Sequence, residues 1–187
     1  TNYPLIGIDL DEGSLVHARR MLPAATIVRT SLGAFVRARP EQPPLDAMLA
    51  SHSLYYVENL EDSLHQMEGL LAADGVLVLS LWSDRCSIRT LACRVAQNPG
   101  NLRSAEATRE LLIESSFDVE LHIWEGQVDF GGWRTPRGIQ AASIFLSRQV
   151  EAGGRGFEAD LERYLKGLKS NIAPRRNGVL VARRRGR

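Results

Sequence analysis

The sequence predicts an α/β protein: an open, mostly parallel sheet with a C-terminal antiparallel hairpin strand and a small helical cap insertion. Three stretches carry that expectation. The first is Leu45 to Trp82, LDAMLASHSLYYVENLEDSLHQMEGLLAADGVLVLSLW, where the apolar runs Leu45 to Ala50 and Val76 to Trp82 suit strands covered on both faces. Between them Leu60, Leu64, Met67 and Leu71 recur at helical spacing, with Asn59 as N-cap and Asp74-Gly75 as the expected helix end. The second is Leu5 to Ile8, an apolar strand that runs into Asp9 and then a helix. The third is the end of the chain, where strand, long insertion and strand suggest a hairpin at the sheet edge.

In order, Leu5 to Ile8 is a strand tipped by Asp9, and a helix follows from about Ser14 to Met21, closed by Pro23. An ionised carboxylate at the tip of a parallel strand can accept both hydroxyls of a ribose. From spacing alone Asp9 either does that or caps the helix; Asp11 is the better cap. Ala25 to Val28 is a short strand, and Ser31 after it either caps the helix Leu32 to Ala38 or bonds a purine edge. The cluster Pro40 to Pro44 is a loop.

The strand, helix and strand of the central stretch form a parallel unit whose ligand-binding loop follows the first strand. That loop is Ser51-His52-Ser53-Leu54-Tyr55-Tyr56. A helix through Arg89 to Val95 breaks at Pro99-Gly100, and Ser104 caps the next. Phe117 to Trp124 alternates as a half-exposed strand, with His122 on its polar side. Within 126–176, expected as the cap, lie Phe130, Trp133, a helix Ile139 to Val150, a break at Gly153-Gly154 and a helix Phe157 to Leu168. Phe130 and Trp133 either close over a substrate or form plain core. A short strand Val179 to Ala182 follows Asn177-Gly178.

With 187 residues, 44% hydrophobic and 24% charged, the chain can bury one sizeable core in a single domain. A formal net charge of +1 gives no reason to expect nucleic acid as partner, and Arg183, Arg184, Arg185 and Arg187 read as a solvated end. Cys86 and Cys93 fit neither a disulfide framework nor a zinc site, so reduced intracellular thiols are expected. His17, His52, His65 and His122 have no ligand spacing, so no metal is expected. No apolar run is long enough to cross a bilayer and no leader opens the chain; a cytoplasmic protein with no membrane partner is the expectation.

Together IGIDLDEGSL at Ile6 to Leu15, VRTS at Val28 to Ser31 and the block Leu45 to Ser80 resemble the second to fifth strands of class I S-adenosylmethionine-dependent methyltransferases, a Rossmann-like fold. Within that superfamily, SHSLYYVENLEDSLHQMEGLL is similar to the matching block of the histamine N-methyltransferase group. The resemblance implies S-adenosylmethionine as cofactor and a small-molecule substrate, an amine or imidazole among the candidates. By position it implies cofactor contacts at Asp9 (ribose), Leu10, Ser14, Ser31 and Leu32 (adenine side) and Ser51 (methionine side). It implies substrate contacts at His52, Tyr55, Tyr56 and, from the cap, Trp133, with His52 and then Tyr55 as the groups that take or hold a proton. His52 stands where the histamine enzymes have Gln, so the acceptor need not be the same. The alternative reading of His52 is a loop histidine bonded to backbone.

The glycine-rich loop after the first strand of that family does not occur in this sequence, which opens at Thr1 on what the resemblance makes strand two. The expectation is therefore a domain without its first strand, with a gap at mid-sheet flanked by unpaired backbone, poorly stable and weak in binding cofactor. A methyltransferase-like binding or scaffold domain without activity is the rival that this absence favours. A nicotinamide-dependent oxidoreductase shares the acidic tip of strand two but suits the inserted hairpin poorly.

Overall fold

The computed structural model describes residues 4–38, 43–57, 59–95, 102–115, 117–149 and 157–185. β1 (Ile6–Asp9), α1 (Glu12–Met21) and β2 (Thr26–Arg29) form one parallel unit, followed by α2 (Leu32–Arg37). β3 (Leu45–Ser51), α3 (Leu60–Leu70) and β4 (Leu71–Trp82) form a second. After α4 (Ser87–Val95) and α5 (Ala105–Glu114) come β5 (Phe117–Asp129) and β6 (Ile172–Arg184), a long antiparallel hairpin whose connection holds α6 (Pro136–Gln149) and α7 (Phe157–Gly167). β6 also pairs antiparallel with β4, which gives the order β3-β4-β6-β5, while β1 and β2 form a separate sheet. Among the described residues β1 and β3 each have one strand partner, so the edges flanking the expected gap are unpaired there.

The helix starts follow the side chains that cap them. Asp11 accepts from Ser14 N at 2.8 Å and from Ser14 Oγ at 3.0 Å, Asn59 from Asp62 N at 3.1 Å, and Ser104 from Ala107 N at 3.1 Å. Asp11, not Asp9, is thus the cap of α1. Leu77, Leu79 and Leu81 of β4 and Leu180 and Ala182 of β6 are buried in one cluster with Leu64, Met67, Leu91, Leu112 and Phe117. Each leucine so buried contributes about 2 kcal/mol. Leu32 packs against that cluster and Gly33 lies across from Gln66 of α3, which ties the first parallel unit to the second.

Two glycine signals need correction. Asp74-Gly75 does not end α3: the helix stops at Leu70, and both residues lie within β4, beside an irregularity where Leu45 faces Leu71 and Ala47 faces Val76. A Cβ at Gly75 would lie 2.9 Å from the Leu45 carbonyl oxygen, so the glycine allows a close approach of backbones rather than a left-handed turn. Nor does Asn177-Gly178 precede a short strand; it lies inside the 13-residue β6. Gly178 sits between Leu81 and Ile123, and a Cβ there would come within 2.2 Å of Ala105 Cβ, so the missing side chain lets α5 close on the sheet. Pro40, Pro99-Gly100, Val150 and Gly153-Gly154 lie outside the described residues.

Candidate functional site

β1 delivers Asp9 to its carboxyl end. Asp9 Oδ1 accepts the backbone N–H groups of Leu10 at 2.7 Å and Asp11 at 2.9 Å, a local turn that leads the chain into α1. The second carboxylate oxygen has no hydrogen bond among the described residues. Arg29, ending β2, donates from Nε to the Leu10 carbonyl at 3.2 Å and braces the same loop. Asp9, Ser14, Ala18 and Ile27 are among the residues lining a cavity of about 170 Å³. Of the other residues expected on this side, Leu10 is exposed, Ser14 is turned to Asp11, and Ser31 caps α2 by accepting from Ala34 N at 3.3 Å. Leu32 faces the core.

Ser51 ends β3, exposed, and His52 follows it with φ at 51°, a left-handed backbone that a side chain bearing Cβ adopts only when its surroundings hold it there. Its N–H donates to the Ser80 carbonyl at 2.8 Å. The half-buried imidazole lies beside Tyr55 and Trp82, with ring centroids 6.0 and 5.9 Å away. Tyr55 and Trp82 stack at 4.8 Å, and the Trp82 backbone N–H donates to the Tyr55 hydroxyl at 2.5 Å. His52 Nδ1 is buried without a hydrogen-bond partner among the described residues, so this nitrogen is not tied to their backbone.

Burial, and after it the Arg175 guanidinium, hold the His52 pKa below its usual 6.5, so the ring is neutral at pH 7 with a lone pair to offer. Burial pushes the Tyr55 phenol well above the ordinary phenol range, and the bond from Trp82 N–H offsets only part of that. Tyr55 therefore stays protonated and serves as a wall. Tyr56 is exposed on the same turn, and Trp133 packs against the main core, where it meets the buried Phe130 edge-on at 5.1 Å, so Trp133 and Phe130 are core.

Residues that sequence reasoning missed complete this rim. Trp82, Asn177 and Trp124 stand opposite one another across β4, β6 and β5, so their side chains share the sheet face that bears the His52 ring. Asn177 is 6% exposed, with its Oδ1 unpartnered among the described residues. Arg175, two residues before it on the same face, is exposed and forms no ion pair among the described residues. A period-two reading carried upstream of Val179 would have found Asn177 and Arg175; the Asn-Gly turn signal hid them. On the opposite face a cavity of about 500 Å³ is lined by Ser83, Glu106, Ile123 and Arg176 among others. There burial raises the Glu106 carboxyl, but hydrogen bonds from Ser83 Oγ at 2.5 Å and Asp84 N at 2.9 Å outweigh it and leave the pKa below the usual value. Among the described residues no cluster of His, Cys, Asp and Glu could hold a metal ion, and no helix is long and apolar enough to cross a membrane.

No family model matches the chain, and no curated protein does. Solved structures do match. The YcgJ protein of Bacillus subtilis has a TM-score of 0.65 at 10% identity, over 98% of this chain and 83% of its own. A candidate methyltransferase from Bacillus halodurans C-125 has 0.60 at 14%, over 96% and 81%. The plantazolicin methyltransferase BpumL, solved with a pentazolic desmethylPZN analogue and S-adenosylhomocysteine (SAH), has 0.54 at 14%, over 97% and 68%. At such identities the likeness is one of fold, and that fold is the Rossmann-like α/β arrangement of methyltransferases.

Proposed function

We propose that this chain is a methyltransferase domain that uses S-adenosylmethionine to methylate a nitrogen of a small amine or imidazole. The observation that carries the reading is Asp9, a carboxylate at the end of β1 with one oxygen committed to its own loop and the other without a hydrogen bond among the described residues. That acceptor fits a ribose, whose hydroxyl pair donates. Asp9 would hold the ribose, with Leu10, Ser14, Ser31 and Leu32 around the adenosine and Ser51 toward the methionine end. The cofactor, when bound, supplies a methyl group on a sulfonium centre.

The chain's own residues then orient the acceptor. His52, neutral and with Nδ1 unpartnered, accepts a proton from the nitrogen and keeps its lone pair free. Tyr55 and Trp82 form a dry aromatic wall beside it that favours a cationic centre by about 0.5 to 2 kcal/mol. Tyr56, exposed on the same turn, is the further aromatic available to an acceptor, while Trp133 packs against the core beside Phe130. The amine or imidazole acceptor rests on the resemblance of the block around His52 to the histamine N-methyltransferase group. Buried Cys86 and unpaired Cys93 accord with a reducing, cytoplasmic setting.

Calorimetry with SAH tests the reading on the protein carrying all of its native sequence. Saturable heat with one site per chain supports it. No heat and no thermal shift leave a methyltransferase-like fold that binds or scaffolds without catalysis.

A further inference from the structure

Three features of the His52 face have no part in the proposed function. Asn177 is buried, and its Oδ1 has no hydrogen-bond partner among the described residues. Arg175 lies two residues away on the same face, exposed and without an ion pair among the described residues. Opposite Arg175 stands Gly126, which has no side chain to cover the guanidinium, and next along β5 on that face is Trp124, 72% exposed. Arg175 is also near enough to His52 to act on its charge.

We propose that the rim bounded by His52, Asn177 and Arg175 binds an acceptor that carries a carboxylate beside its nitrogen, an amino acid rather than a simple amine. This deepens the methyltransferase reading and rests on it for the identity of the bound molecule as the acceptor. Residues two apart along a strand are about 6.8 Å apart, and the length of an arginine side chain lets Arg175 meet a carboxylate one or two carbons from a nitrogen held at Asn177 and His52. The guanidinium pairs with the carboxylate through two parallel N–H bonds. Asn177 Oδ1 takes one N–H of the amine and His52 Nδ1 another, so each orphaned atom gains its partner. Trp124 and Trp82, at the two ends of the row, flank an aromatic or heteroaromatic side chain.

The test uses L-histidine and histamine, which share an imidazole and an amine and differ by the carboxylate. Both are titrated against the full chain, followed by tryptophan fluorescence. L-Histidine is expected to bind about tenfold more tightly. In Arg175→Gln that preference disappears; Arg175→Lys keeps part of it. Equal affinities in the unaltered protein, a preference that survives Arg175→Gln, or no response to either compound overturns the proposal. SAH calorimetry on the same samples separates the two readings: a carboxylate preference without SAH binding supports the subsite and removes the methyltransferase.

Discussion

The Tyr55 hydroxyl accepts the backbone N–H of Trp82 at 2.5 Å while the two rings stack at 4.8 Å, so one side chain both completes the end of β4 and walls the His52 loop. Tyr55→Phe keeps the stack and removes the hydroxyl that accepts this N–H. The expected loss of stability is about 0.5 to 1.5 kcal/mol, the net worth of one hydrogen bond, seen as a lower urea midpoint at unchanged slope. An unaltered midpoint would mean that the loop is held by the rings alone.

Gly178 and Gly69 make an opposed pair. A Cβ at Gly178 meets Ala105 Cβ at 2.2 Å, whereas one at Gly69 on α3 meets nothing within 4 Å. Gly178→Ala forces α5 off the sheet and is expected to cost about 1 to 3 kcal/mol. Gly69→Ala, in an exposed helix position, gains about 0.5 to 1 kcal/mol. Thermal melts of the two variants should move in opposite directions, and a common direction would contradict the packing of α5 on β6.

That pair also marks what the sequence could disclose. Helical spacing at Leu60, Leu64 and Met67, and the caps Asn59 and Ser104, were legible because they depend on neighbours along the chain. So were the strand tip at Asp9 and the order of elements. The ends of the strands were not. Asp74-Gly75 and Asn177-Gly178 have the composition of turns, yet each glycine answers to a backbone or helix brought up by the fold, beyond the reach of a local rule. The candidate site divided the same way. His52 and Tyr55 stood out in their loop, whereas Asn177 and Arg175 join them only through the pairing of β6 with β4.

Asp9→Asn isolates charge from geometry on the cofactor side. The amide oxygen can still accept from Leu10 and Asp11, so the turn into α1 persists and the stability should hold. What is lost is the charge-assisted bond to a hydroxyl pair. SAH is expected to bind about tenfold more weakly by calorimetry. Equal affinity in the two proteins would reject the ribose assignment.

His52 ties stability to pH in a direction that can be worked out. Its pKa in the folded chain lies below the 6.5 of an exposed histidine, first through burial and then through Arg175. Above pH 6.5 the ring is neutral in both states, and its contribution is fully present. As pH falls below 6.5 the unfolded chain takes up a proton that the folded chain refuses, so stability declines until the folded pKa is passed, and then levels. His52→Asn, which tolerates the left-handed backbone at φ 51°, should flatten this part of the stability profile. Arg175→Gln removes the nearby positive charge, so the imidazole titration followed by NMR should move upward toward 6.5 but stop short of it, because burial remains. An unmoved titration would place Arg175 too far from the ring to share a ligand with it.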